Sequence, residues 1–196
     1  MNLANQITIL RVILIPVFIV VFYLPYGWSY PVSAAIFAFA GITDWLDGYI
    51  ARKYDQSTPF GAFLDPVADK LMVAVALVLL VEVHASPWFA IPAAVIICRE
   101  ILVSALREWM AEIGQRSNVA VSYIGKVKTV LQIISIIVLL AFNKDFHVYF
   151  TYLGYILLYV AAILTLWSMF IYLRAAWPSL KPKAGEVEKD DSGIEP

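Results

Sequence analysis

Thr43–Lys70 reads TDWLDGYIARKYDQSTPFGAFLDPVADK, and four of its carboxylates decide how the rest of the chain must fold. Asp44 and Asp47 are three residues apart and Asp65 and Asp69 four apart, so on helices each pair shares a face. Strongly apolar runs flank the stretch, and the polar turn Lys53 to Thr58 separates the two pairs. Two helices joined by that turn can bring all four carboxylates to one point. An ionised Asp deep in a membrane costs roughly 2.5–3.5 kcal/mol on insertion scales, and four together also repel one another. Divalent cations remove both penalties, and an all-oxygen donor set suits the hard ions Mg²⁺ or Mn²⁺. The stretch therefore predicts a two-metal carboxylate site at a membrane surface.

Working outward, the composition agrees. Of 196 residues, 62% are hydrophobic and only 15% charged, and the mean hydropathy is +0.79. Such a chain is not an ordinary soluble domain. It predicts an all-α, polytopic membrane helix bundle with room for about six transmembrane helices of roughly 20–25 residues. Ile7 to Pro25 and Tyr30 to Ile50 are the first two apolar runs. Thr58 and Pro59 read as N-cap and first residue of a third helix reaching about Val83, with Pro66 expected to kink it. Ser86-Pro87 opens a fourth, to about Ile113; the fifth covers Lys126 to Phe142 and the sixth Val148 to Leu173. Residues 1–177 thus make one membrane domain. The Lys/Glu/Asp-rich 178–196 is expected to be a disordered tail. The N-terminal apolar run lacks a small-residue cleavage site and is expected to stay. The single cysteine, Cys98, allows no intrachain disulfide and is expected to pack as a core thiol. A net charge of -1 carries no nucleic-acid signal, and no nucleic-acid partner is expected.

Charge placement orients the bundle. Arg52, Lys53, Lys70, Arg107, Arg116, Lys126, Lys128, Arg174, Lys181 and Lys183 all fall toward one side of six alternating spans, whereas the opposite connections hold only Lys144. That asymmetry puts both termini and the carboxylates in the cytoplasm, which for a bacterial chain means the inner membrane. Tyr23, Tyr26, Trp28, Tyr30, Trp88 and Phe89 mark the other interface as an aromatic belt, and His84 and His147 there read as solvated loop residues.

The spacing is more specific than composition. Gly48 lies four residues after Asp44 and leaves room for a ligand near the backbone, Gly61 lies four before Asp65 and clears the facing helix, and Arg52 offers a phosphate-binding fork. Together these residues spell D-x2-D-G-x2-A-R-x8-G-x3-D-x3-D, a pattern that resembles the signature of the CDP-alcohol phosphotransferase (class I) family. The resemblance implies that Asp44, Asp47, Asp65 and Asp69 bind two metal ions. It implies contacts from Asp47, Gly48, Arg52 and Gly61 to a cytidine diphosphate, and Asp69 as the base that takes the acceptor's proton. No Ser, Cys or His stands in the site as a nucleophile, so direct attack by a substrate hydroxyl is the simplest chemistry.

The acceptor depends on residues outside the signature. Thr8 and Arg11 share a helix face; Arg11 could snorkel to headgroups or face the carboxylate site and hold a phosphate. Arg107, with Lys126 and Lys128 at the start of the fifth helix, could form a second basic pocket, and Glu100 is spaced to pair with Arg107. The stretches NQITILRVILIPVFIVVFYLP, GAFLDPVADK, REILVSALREWMAEIG and GKVKT are similar to family members acting on a phosphorylated glycerol. That implies transfer of a phosphatidyl group from CDP-diacylglycerol to sn-glycerol 3-phosphate, releasing CMP, by a homodimer among membrane lipids. The same chemistry on serine or an inositol phosphate, or a small cation transporter, are the competing readings.

Overall fold

The computed structural model describes residues 3–54, 58–114, 123–142 and 148–180; side chains are described for these except 3, 4, 45, 47–54, 59, 62, 123–126 and 178–180. Six helices follow one another: α1 (Leu3–Phe22), α2 (Ser29–Tyr54), α3 (Pro59–His84), α4 (Pro87–Glu112), α5 (Tyr123–Ala141) and α6 (Val148–Leu180). Local chemistry sets the starts of α3 and α4. Thr58, in extended backbone, caps α3 by accepting from the Gly61 amide, and Ser86 caps α4 by accepting from Trp88, each followed by a proline at the first turn. Ala85, at φ 41°, ends α3 in the left-handed conformation. α3 runs unbroken through Pro66. α6 continues to Leu180, past the expected Leu173 and three residues into the expected tail.

Asn5–Phe22, Pro87–Glu112 and Val148–Trp177 are long and apolar enough to cross a membrane on length and composition alone. α2 and α3 have comparable length, and they are the helices that carry the carboxylates. Large apolar side chains face outward along the helices, Val20, Ile42, Ile101, Ile163 and Phe170 among them. A bundle that buries polar groups and exposes Ile and Phe is built for lipid: the chain is a polytopic membrane helix bundle.

The helices close a ring in the order α1, α2, α5, α6, α4, α3. Its core is Phe18 and Phe22 of α1, Phe37 of α2, Leu77 and Leu80 of α3, Phe89 and Ile96 of α4, and Ile136 and Leu140 of α5. α5 and α6 approach closely at Gly154, where an added Cβ would lie 2.5 Å from Leu139 Cγ and where Ser135 Oγ donates to the Gly154 carbonyl at 2.8 Å.

Three expectations fail at and below the end distal to the carboxylates. His84 is not solvated: it is buried, stacks on Phe89 at 4.7 Å and meets the Tyr155 hydroxyl at 3.1 Å through Nδ1. Phe89 is fully buried and belongs to the core, whereas Tyr23, Tyr26, Trp28 and Trp88 stay exposed as a belt. α6 passes over the α3–α4 turn and covers both residues, as Tyr159 donating to the Trp88 carbonyl at 2.7 Å shows. Cys98 is exposed, because Ile96 and Arg99 take the inward face of α4 on either side of it. His147 lies outside the described residues.

Gly154→Val should lower the thermal unfolding midpoint in detergent by roughly 2–10 °C, the range for one to three kcal/mol of overpacking in a chain this size. A static light-scattering or fluorescence melt of the purified protein checks it.

Candidate functional site

The inward stripe of α1 consists of Thr8, Arg11, Ile15, Phe18 and Phe22, at alternating intervals of three and four. Its apolar members join the core, and the same stripe carries Thr8 and Arg11 inside at the opposite end. Arg11 is only 3% exposed. It therefore does not snorkel.

A cation buried this completely needs anions, and α2 and α3 supply them. Arg11 Nη1 donates to Asp44 Oδ1 at 2.8 Å and also to Asp69, while Nη2 reaches Asp65 Oδ1 at 3.4 Å. The Thr8 hydroxyl donates to the same Asp65 oxygen. Three of the four signature carboxylates thus converge from two helices on one guanidinium. Each carboxylate remains about two-fifths exposed, so the cluster opens to solvent on one side. Asp47 and Arg52 lie on α2 with their side chains outside the described ones, as does Gly48.

At Gly61 the missing side chain clears room for the facing helix, α1. A Cβ there would lie 2.7 Å from Asn5 Oδ1, and that same oxygen accepts from the Thr58 hydroxyl at 2.7 Å. Asn5 thereby ties the start of α1 to the cap of α3, a contact the sequence did not suggest.

The basic residues form a second polar group on α4, α5 and α6. Glu100 Oε1 accepts from Arg99 Nη1 at 2.9 Å and from Lys128 Nζ at 3.0 Å. Glu100 was expected to pair with Arg107, but Arg107 turns to α6 instead: its Nη2 donates to the Tyr172 hydroxyl at 2.9 Å, with the guanidinium 5.1 Å from the ring centre. Arg99 reaches α6 as well, donating from Nη2 to Ser168 Oγ at 2.9 Å. A cavity of about 670 Å³ between α3 and α4 is lined by Lys70, Arg99, Glu100, Arg107 and Glu108. Lys128 stands behind Glu100 rather than in the cavity wall. Lys126 has its side chain outside the described ones. Thr8 and Arg11 sit with the carboxylates, the inward of the two placements expected for Arg11 and away from Arg107 and Lys128.

Ser168 and Tyr172 escaped the sequence reading, although a signal for them exists. Leu158, Ala161, Thr165, Ser168, Tyr172 and Ala176 are all buried and step by three or four along α6. Polar members of so regular an inward stripe must meet partners inside.

Among the described residues, no three acidic, His or Cys side chains are grouped to hold a metal ion as they stand, since they point at Arg11. The donor chemistry nonetheless fits a hard divalent cation. All donors are carboxylate oxygens, they come from two facing helices, and the guanidinium among them already supplies the positive charge that the cluster requires.

Comparison with known sequences meets this geometry from another side. The family profile described as CDP-alcohol phosphatidyltransferase matches residues 1–167, which take in the carboxylates and Arg99, Glu100, Arg107 and Lys128 and end within α6, just before Ser168. A protein of Pseudomonas fluorescens named CDP-diacylglycerol--glycerol-3-phosphate 3-phosphatidyltransferase is 60% identical over 182 residues, covering 92% of this chain and 93% of its own. Proteins with the same name from Yersinia pestis (strain Pestoides F) and Salmonella paratyphi A are 56% and 57% identical over 92% and 89% of this chain, and 97% and 94% of theirs. With the acidic signature matched without a gap and its carboxylates brought together by α2 and α3, the chain belongs to the CDP-alcohol phosphatidyltransferase family.

Proposed function

We propose that this chain transfers the phosphatidyl group of CDP-diacylglycerol to sn-glycerol 3-phosphate, giving phosphatidylglycerophosphate and CMP. The convergence of Asp44, Asp65 and Asp69 beside a cavity lined by Arg99, Arg107 and Lys70 carries this reading. Acidic oxygens suit a cation-bound diphosphate, and the separate basic cavity suits an acceptor with its own phosphate. The relatives' shared name points to the same pair of substrates.

In this reading Asp44, Asp47, Asp65 and Asp69 hold two Mg²⁺ ions, or Mn²⁺ in their place. Bound there, the ions supply Lewis-acid polarisation of the diphosphate and charge neutralisation on departing CMP. Arg11 then gives up its carboxylate partners and, with Thr8, turns to phosphate. Asp47, Gly48, Arg52 and Gly61 lie along the cytidine diphosphate. Arg107, Lys126 and Lys128 attract the acceptor's phosphate, with Glu100 coupling Lys128 to Arg99. The acceptor hydroxyl oxygen bonds to the phosphorus that carries diacylglycerol, and the bond from that phosphorus to the CMP oxygen breaks. Asp69 takes the hydroxyl proton, and CMP leaves with the electron pair. The inference extends to a homodimer in the bacterial inner membrane, with site and termini cytoplasmic and the residues after Leu180 a tail beyond the catalytic domain. The rule of cations on the cytoplasmic side supports that orientation.

The direct assay is CMP release by purified protein from CDP-diacylglycerol with a panel of alcohols; glycerol 3-phosphate should be strongly preferred, and preference for serine or free inositol would overturn the acceptor. Asp65→Asn should lower turnover by roughly 100-fold or more, since even groups supporting metal ligands are worth about 10–100-fold. Chelation with EDTA should stop wild-type turnover, with recovery on adding Mg²⁺. Arg11→Ala should melt several degrees below wild type in EDTA, and millimolar Mg²⁺ should raise its midpoint more than it raises the wild type's. Equal Mg²⁺ shifts would separate Arg11 from the cation site. Tyr172→Phe keeps the ring but drops the bond to Arg107, so the KM for glycerol 3-phosphate should rise about two- to tenfold, the worth of one hydrogen bond, with the KM for CDP-diacylglycerol unchanged.

A further inference from the structure

α6 holds both arginines of the basic cavity, but it holds them differently. Arg107 ends on one hydroxyl, that of Tyr172. Arg99 is the middle of a chain that joins three helices. Ser168 Oγ on α6 donates to the Thr165 carbonyl at 2.9 Å and accepts from Arg99 Nη2 at 2.9 Å. Arg99 Nη1 donates to Glu100 Oε1 at 2.9 Å, and the same oxygen accepts from Lys128 Nζ on α5 at 3.0 Å. A serine hydroxyl has one proton, and here the backbone of its own helix takes it. The oxygen therefore meets Arg99 as an acceptor only, which gives the bond a single direction. Arg99 Nε has no hydrogen-bond partner among the described residues. Two Nη bonds and the Tyr172 ring, 5.8 Å from the guanidinium carbon, are thus what fix the plane of that group. Ser168, Arg99 and Lys128 are buried, whereas Glu100 is 30% exposed and lines the cavity beside Arg99. The chain begins in the dry contact with α6 and ends at the cavity wall.

We propose that Ser168 is a positioning residue for the acceptor's phosphate, acting through Arg99 without touching the acceptor. Its oxygen holds the guanidinium so that Nη1 stays on Glu100, and Glu100 keeps Lys128 close behind the wall. Without that oxygen, Nη2 is a buried donor with its partner gone, and Arg99 must turn to recover one. The cations then lose the spacing that a phosphate reads. The inference rests on the acceptor reading above and adds what sets the cations in place.

The test compares wild type, Ser168→Ala, Arg99→Lys and the double variant, each full length in detergent, by CMP release with glycerol 3-phosphate and CDP-diacylglycerol. Inorganic phosphate serves as the competitor. Ser168→Ala should raise the KM for glycerol 3-phosphate and the Ki of phosphate about two- to tenfold, the worth of one hydrogen bond, with kcat and the CDP-diacylglycerol KM within about twofold. Ser168→Cys, close in size but a weaker acceptor, should raise both constants too, so the result does not hang on one variant. Arg99→Lys keeps the charge but has no fork to span Ser168 and Glu100, so adding Ser168→Ala to it should raise the KM no further. An unchanged KM for glycerol 3-phosphate in Ser168→Ala, an equal rise for both substrates, or effects of the two substitutions that add in full overturn the positioning role. Wild-type protein that works only with an uncharged acceptor and ignores phosphate overturns the acceptor reading itself, whatever the variants do.

Discussion

One guanidinium balances three carboxylates. Arg11 arrives on α1, Asp44 on α2, and Asp65 and Asp69 on α3, so the pairing can form only if these three helices meet at one end with a defined rotation about their axes. In a bundle whose outer surface is Ile, Val and Phe, an unpaired charge inside would cost several kcal/mol, and that cost selects the arrangement. The pair network does not earn its place by great stability. Its consequence is register: turn α1 by one residue, and Thr8 and Arg11 leave the interior while Ile15, Phe18 and Phe22 leave the core with them.

The second polar group has the same logic with the signs reversed. A single carboxylate, Glu100, serves two cations, and α6 supplies neutral acceptors, Ser168 and Tyr172, for the two arginines. Carboxylates thus outnumber the cation in one group and cations outnumber the carboxylate in the other, with the α3–α4 cavity lined by the second. The other end of the bundle is furnished differently, by aromatic packing around His84 and hydrogen bonds from Tyr155 and Tyr159 of α6. That end holds the helices together; the polar end has charge to offer a substrate.

Arg11 also bears on how three carboxylates can gather at one point. Carboxylates so close repel one another, and a folded chain needs a positive charge among them. A guanidinium supplies it at a low desolvation cost because its charge is spread and weakly hydrated.

Much of this was readable from residues alone, since local chemistry decides it. The helices of the bundle, the proline-led starts of α3 and α4, the cation asymmetry and the face-sharing acidic pairs need only neighbours a few positions away. The acidic pattern, with Gly48, Arg52 and Gly61, identified the family for the same reason. Whether Arg11 went to lipid or to the interior, whether Cys98 packed inward, whether His84 met water or Phe89, and which partner Arg107 chose were settled by helices distant in sequence. Arg107 and Tyr172 are 65 positions apart, and Arg11 and Asp69 58. Periodicity tells which face of a helix turns inward; only the packing of all six decides what that face will meet, because a buried charge takes whatever partner the closed ring brings within reach.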